Sequence, residues 1–243
     1  MPIELTADEA FDRYKAHLDA DALIQGCWHG GDDGHGRDLA CGLGALDPKI
    51  NGPRDCPASV MPRWLAQMVP WFFDNQPLED AKAWGLRFYA ELKRLKGVVP
   101  FSVIHDWQAN VVGPMAIEAA EKRGADPTVH KALAEMQWKA LTGEKFTADE
   151  WRPILKAAFN DIYLWRYYAN ANAYADPYAN ANANTYANAN ADADAYADPY
   201  ANANAYADAN AYADANANAN AYRARIKMLA DGMVECLARV ETA

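Results

Sequence analysis

Seven residues with metal-binding or proton-transfer chemistry fall within one short stretch: Cys27, His29, Asp32, Asp33, His35, Asp38 and Cys41. Two thiols and two imidazoles in the order C-x-H-x5-H-x5-C supply the four soft and borderline donors that a tetrahedral zinc site uses. His29 and His35 would be the first ligands to test, with Cys27 and Cys41 completing the set. The spacing matches none of the common zinc patterns. A run this rich in glycine and aspartate reads first as a turn, and Cys41 sits in an apolar run that buries it. A small metal-dependent enzyme centred on this loop is therefore an alternative, and the leading expectation assigns no metal.

The other chemistry-bearing residues are sparser. His105 and Asp106 are adjacent, but neighbours at i and i+1 do not face each other on a helix, so they form no dyad. His17 and His130 stand alone on helical segments, as surface or satisfied packing positions. The chain lacks G-x-S-x-G, H-E-x-x-H and the phosphate-binding G-x-x-x-x-G-K-[ST]. The pair Gly42 and Gly44 lacks the third glycine of a dinucleotide loop. No catalytic residue and no cofactor are expected.

The elements that carry these residues read as helices. Thr6-Ala-Asp-Glu9 and Thr147-Ala-Asp-Glu150 are capping boxes, each opening a helix. The first helix places Phe11, Tyr14 and Leu18 on one stripe. A short hairpin is expected around residues 22–40. Met61, Trp64, Leu65, Met68 and Val69 fall at helical spacing, with Pro70 expected to kink or end that helix. Leu78, Ala81, Trp84, Phe88, Leu92 and Leu95 form the next stripe, opened by Pro77 and closed by Lys93, Arg94, Lys96 and Gly97. Residues 102–123 read as one helix kinked at Pro114. Asp126-Pro127 opens another helix, whose apolar face is Val129, Leu133, Met136 and Ala140. Trp151, Ile154, Leu155, Phe159, Ile162 and Trp165 line the one after it.

From Tyr168 to Tyr222 nearly every second residue is alanine, and the intervening positions hold 13 Asn, 6 Asp and 9 Tyr. Strict alternation is the strand template, yet Ala, Asn and Asp are depleted in strands and the segment has no glycine for turns. Alanine is the best helix former. The string Tyr-Ala-Asp-Pro-Tyr occurs at Tyr174 and again at Tyr196, and each Asp-Pro reads as a cap followed by a first helical residue. Three helices are predicted, at about 148–175, 177–197 and 199–241. Tyrosines fill the seams between closely approaching alanine faces, and Tyr178, Tyr196, Tyr200 and Tyr206 are candidate partner contacts. The chain then divides into a Trp-rich helical domain, 1–146, and repeat helices, 147–243, packed on it.

The fold class is all-α: antiparallel helix pairs in a bundle or an irregular solenoid. All eight tryptophans precede Tyr167, which puts the main core in the first two thirds of the chain. A formal charge of −10 disfavours nucleic acid, whose phosphates require basic patches, and favours a basic partner. There is no run of about 18 apolar residues to cross a membrane and no signal-peptide pattern. Four cysteines without a C-x-x-C fit a reduced, cytoplasmic protein with free thiols.

Two blocks, W28-H-G-G-D-D-G-H-G-R-D-L-A-C41 with C56-P-A-S-V-M-P-R-W-L-A-Q-M-V-P-W71, and the Ala-rich tail ending in K227-M-L-A-D-G-M-V, resemble a family of uncharacterised phage and prophage proteins. The tail is also similar to the Ala-rich helical repeats of immunity proteins, which neutralise toxins by binding. The resemblance implies a non-enzymatic helical module that binds a protein partner or copies of itself, and it brings no catalytic residues. Self-assembly through the repeat tail is a further alternative.

Overall fold

A computed structural model describes residues 3–122, 124–170 and 217–242, with side chains described over 3–122, 124–161 and 223–242. The described residues are mostly helical, with one two-stranded sheet, in agreement with the all-α expectation. The helices are α1 (Ala7–Asp19), α2 (Arg63–Asp74), α3 (Leu78–Arg94), α4 (Ser102–Trp107), α5 (Gly113–Lys122), α6 (Thr128–Leu141), α7 (Ala148–Asn170) and α8 (Ala217–Ala238). Of the three repeat helices expected, the first is described to Asn170 and the last from Ala217 to Ala238; the middle one lies outside the described residues.

The chain groups into two compact units: Met1–Val103 with Ile226–Ala243, and Ile104–Arg225. The division at 146/147 read from composition marks where the repeat-bearing helices begin; the units mark which segments pack together.

In the first unit, α1 opens on its capping box. Glu9 N–H donates to Thr6 Oγ1 (3.2 Å), and Thr6 N–H donates to Glu9 Oε2 (2.8 Å). The buried face of α1 is Ala7, Ala10 and Tyr14 rather than Phe11, Tyr14 and Leu18. Phe11 is only half-buried, and the Lys93 ammonium lies over its ring at 5.0 Å. The two alanines let α1 approach α3 closely, and Tyr14 reaches across to it. The Tyr14 hydroxyl donates to the Lys82 carbonyl (3.1 Å), in the space left by Gly85. Tyr14 and Tyr89 have ring centroids 4.8 Å apart, Phe88 and Tyr89 5.3 Å, Trp84 and Phe88 4.8 Å, and Phe72 and Trp84 5.5 Å. This chain of rings is the centre of the core.

Pro70 does not end α2, which continues to Asp74. Seven of its residues, from Leu65 to Phe73, are buried, and that packing outweighs the one hydrogen bond a proline removes. Pro77 precedes α3 as its cap residue rather than its first helical one. At the other end, Lys96 (φ +52°) and Gly97 (φ +74°) both enter the left-handed region, and Gly97 N–H donates to the Leu92 carbonyl (2.9 Å). A Cβ at Gly97 would lie 2.1 Å from the Ser59 carbonyl oxygen, so glycine is required there.

The C-terminal half of α8 completes this unit. Ile226, Leu229, Ala230, Met233 and Leu237 are fully buried. Trp84 Nε1–H donates to the Ala230 carbonyl (2.9 Å), and Arg94 donates to the carbonyls of Leu237 (2.7 Å) and Val240 (2.9 Å). The core of the first unit therefore extends beyond the tryptophan-rich two thirds of the chain.

The segment 102–122, which enters the second unit at Ile104, follows a helical path, but its irregularity precedes Pro114. Residues Gln108–Val112 form a π-helical turn, with Gly113 N–H donating to the Gln108 carbonyl. Proline has no N–H and its ring crowds the carbonyl four residues back, so a wider turn just before it relieves both. α6 and α7 then pack through Leu133, Met136, Trp151 and Ala158, with Val129, Ala140, Phe146, Ile154 and Leu155 around them. The second capping box holds: Thr147 N–H donates to Glu150 Oε2 (2.7 Å), and Glu150 N–H donates to Thr147 Oγ1 (3.4 Å).

Candidate functional site

The Gly/Asp/His loop is the expected hairpin. Strand β1 (His29–Asp32) pairs antiparallel with β2 (Asp38–Ala40), with a bulge between His29 and Gly31. Its polar residues build the turn. Asp32 Oδ1 accepts from Gly34 N–H (2.7 Å) and Gly36 N–H (3.2 Å). Asp33 accepts from His35 N–H (2.8 Å), Arg37 N–H (3.2 Å) and Arg37 Nε (2.6 Å). These bonds hold the Asp33 carboxyl below the usual range, the His35 N–H contributing most.

The four candidate ligands have separate surroundings. His29 Nε2–H donates to the Ile50 carbonyl (2.9 Å). His35 is exposed at the turn, and Cys27 is exposed. Cys41 is buried, its Sγ accepting from Gly44 N–H (3.4 Å), and burial pushes its thiol up. Among the described residues no group of three or more His, Cys, Asp and Glu side chains is placed to hold a metal ion. Gly44 explains the tight packing here: a Cβ on it would lie 2.1 Å from the Trp28 carbonyl oxygen and 3.3 Å from His29 Cε1.

A second set of polar side chains lies in the second unit, beside the π turn. Asp106, Gln108, His130 and Gln137 are buried. His105 Nδ1–H donates to Gln137 Oε1 (2.7 Å), and its ring stacks on Trp151 at 5.8 Å and 10°. Asn110 Nδ2–H donates to Asp106 Oδ1 (2.7 Å). His130 Nε2 meets Asp161 Oδ2 at 2.9 Å, and the His130 side chain has 0% exposure. His105 and Asp106 thus face different partners, as adjacency on a helix requires. Burial pushes the His105 pKa down, favouring the neutral ring. His130 is a satisfied packing histidine that joins α6 to α7. With its ring fully covered, it has no surface on which a substrate could be handled.

The outer face of α6 carries the chemistry of a contact site. Trp138 is 52% exposed beside a hollow of about 450 Å³ whose described lining is Ala134, Glu135, Trp138, Lys139 and Thr142. Glu135 and Lys139 pair one turn apart along the helix at 2.8 Å. Trp138 is the largest exposed apolar side chain among the described residues, beside Val98 and Met228. The sequence held a signal for it. Trp138 stands about 200° from Met136 at 100° per residue, opposite the apolar stripe of its own helix.

Tyr178, Tyr196, Tyr200 and Tyr206 lie outside the described residues. No helix among the described residues is long and apolar enough to cross a membrane. Comparison with family models, with curated proteins and with solved structures gave no match.

Proposed function

We propose that this chain is a non-enzymatic helical module that binds a protein partner in the cytoplasm. Its finer form is a phage or prophage protein of the toxin-neutralising, immunity type. The observation that carries the reading is Trp138, half-exposed over an apolar hollow and ringed by Glu135, Lys139 and Thr142. Tryptophan is enriched among the few residues that dominate binding energy, typically set in an apolar centre with a polar rim. The formal charge of −10 favours a basic partner.

The test is affinity capture with the full chain and with its Trp138→Ala variant, compared by quantitative mass spectrometry. A buried hot-spot tryptophan costs about 2 kcal/mol or more when truncated, a loss of roughly thirtyfold in affinity. One protein enriched by the parent chain and depleted at least tenfold by the variant is expected. Identical captured sets would refute the assignment of this face.

A further inference from the structure

The loop after α3 turns an apolar side chain outward and holds it there. Gly97 (φ +74°) is pressed against the segment that leads into α2: a Cβ on it would lie 2.1 Å from the Ser59 carbonyl oxygen and 3.1 Å from that of Val60. Val98 N–H donates to the Leu95 carbonyl (2.9 Å) and Val99 is buried, which leaves Val98 75% exposed, with Pro100 exposed close by. Phe101 meets Trp64, in the first turn of α2, edge to face at 5.7 Å, and both residues are partly exposed. Val98, Pro100, Phe101 and Trp64 thus form one apolar edge of the first unit.

Three cations stand around this edge: Lys96 in the loop, Arg63 next to Trp64, and Arg54 in the turn Pro53–Asp55, which packs on α2. All three are exposed, and none pairs with a carboxylate among the described residues. Arg13, Arg37, Lys82 and Arg87 of the same unit each do. The acid in the turn, Asp55, accepts instead from Asn51 N–H (3.0 Å). Local structure does not call for two of these charges. Arg63 opens α2, where the helix dipole favours an anion, and Lys96 occupies the left-handed region (φ +52°), where glycine or asparagine is under less strain.

We propose that this edge is a second docking site, for a short acidic segment of a partner protein that carries an apolar side chain among its carboxylates. The apolar residue packs on Val98, Pro100 and the Trp64 ring, and the carboxylates pair with Arg54, Arg63 and Lys96. Guanidinium groups suit carboxylates because they donate to both oxygens at once. Charges beyond about 8 Å are screened at physiological ionic strength, so these cations set the local field although the chain carries −10. A nucleic acid needs a row of cations along its phosphates and makes no use of an exposed valine and proline. The site lies on other elements than the α6 face and takes the opposite charge.

The test selects random peptides of about 12 residues, about 40 Å when extended, from a display library on the immobilised full chain. The selected peptides are then offered to three full-length variants: Arg54→Glu with Arg63→Glu and Lys96→Asp; Val98→Ser; and Trp138→Ala. The three altered cations are exposed, and Arg63→Glu places an anion where the helix dipole favours one, so the triple variant folds, which an unchanged urea midpoint checks. Peptides enriched in Asp and Glu beside apolar residues are expected. They should bind at least tenfold more weakly to the triple variant, at least threefold more weakly to Val98→Ser, and equally well to Trp138→Ala. Peptides that only Trp138→Ala releases belong to the α6 face. A selection made up of these alone, one without acidic enrichment, or equal binding to the parent and the triple variant would overturn the proposal. A dimer of the parent chain that the triple variant abolishes in sedimentation would overturn it too, because a second copy would then be the occupant.

Discussion

Gly85, like Gly44 and Gly97, is a position in the first unit where an added Cβ would lie 2.1 Å from a neighbouring atom. It lies inside α3, where a glycine costs about 1 kcal/mol relative to alanine, so Gly85→Ala should stabilise the helix taken alone. The tertiary structure reverses that sign. A Cβ at residue 85 would lie 2.1 Å from Tyr14 Oη, 2.4 Å from Cζ and 2.9 Å from Cε2. Tyr14 has 0% exposure and its ring packs on Tyr89, so it has nowhere to retreat. Overpacking of this kind costs about 1–3 kcal/mol. Displacing the phenol also breaks its bond to the Lys82 carbonyl, and leaving those groups buried without partners costs about 1–3 kcal/mol more. After subtracting the propensity gain, the net destabilisation is about 1–5 kcal/mol. Urea unfolding followed by tryptophan fluorescence reads it as a lowered midpoint at unchanged slope. In a Tyr14→Leu background the clashing atoms are gone, and Gly85→Ala should become neutral or stabilising. A Gly85→Ala chain as stable as the parent, or the same penalty in both backgrounds, would refute the packing argument.

Thr6→Ala and Thr147→Ala each remove a capping box and should lower stability by about 0.5–2 kcal/mol, read as urea midpoints, while the corresponding Ser variants keep most of it. Trp84→Phe keeps most of the buried ring but leaves the Ala230 carbonyl without its donor, so it should cost about 1–3 kcal/mol and raise amide exchange in 226–238. Burial holds His105 below its ordinary pKa, so the unfolded chain binds its proton more readily than the folded one. Stability from this group is complete above about pH 6.5 and falls as pH drops through that value towards the lower folded pKa. His105→Gln should flatten the fall of the urea midpoint as pH drops below about 6.5; an unchanged profile would show that His105 is not the group responsible.

What could be read from the sequence was local. Both capping boxes are satisfied as Thr6/Glu9 and Thr147/Glu150 required, because a cap involves groups three residues apart. The α3 stripe is buried at Ala81, Trp84, Phe88, Leu92 and Leu95 as its spacing implied, and the hairpin lies where glycine and aspartate placed it. Even His105 and Asp106 were separable in advance, since helix geometry points adjacent side chains apart. Trp138 was visible as a tryptophan off the apolar stripe of its helix, yet whether anything among the described residues would cover it was not.

The tertiary structure alone decided which groups met across long stretches of chain. Periodicity offered Phe11 and Leu18 as the buried side of α1, but Ala7 and Ala10 won because small residues let α1 close onto α3 while Tyr14 took the space above Gly85. It kept α2 helical through Pro70, because the burial around it exceeded one lost hydrogen bond. It turned His29 to the Ile50 carbonyl instead of towards His35. It also joined Ile226–Ala243 to the first 103 residues, where composition had grouped the chain's end with the repeat. The sequence by itself determined caps, turns and stripes, because those energies arise within a turn or two of chain. Which stripe faces which is a competition among buried surfaces, and only the complete set of contacts decides it.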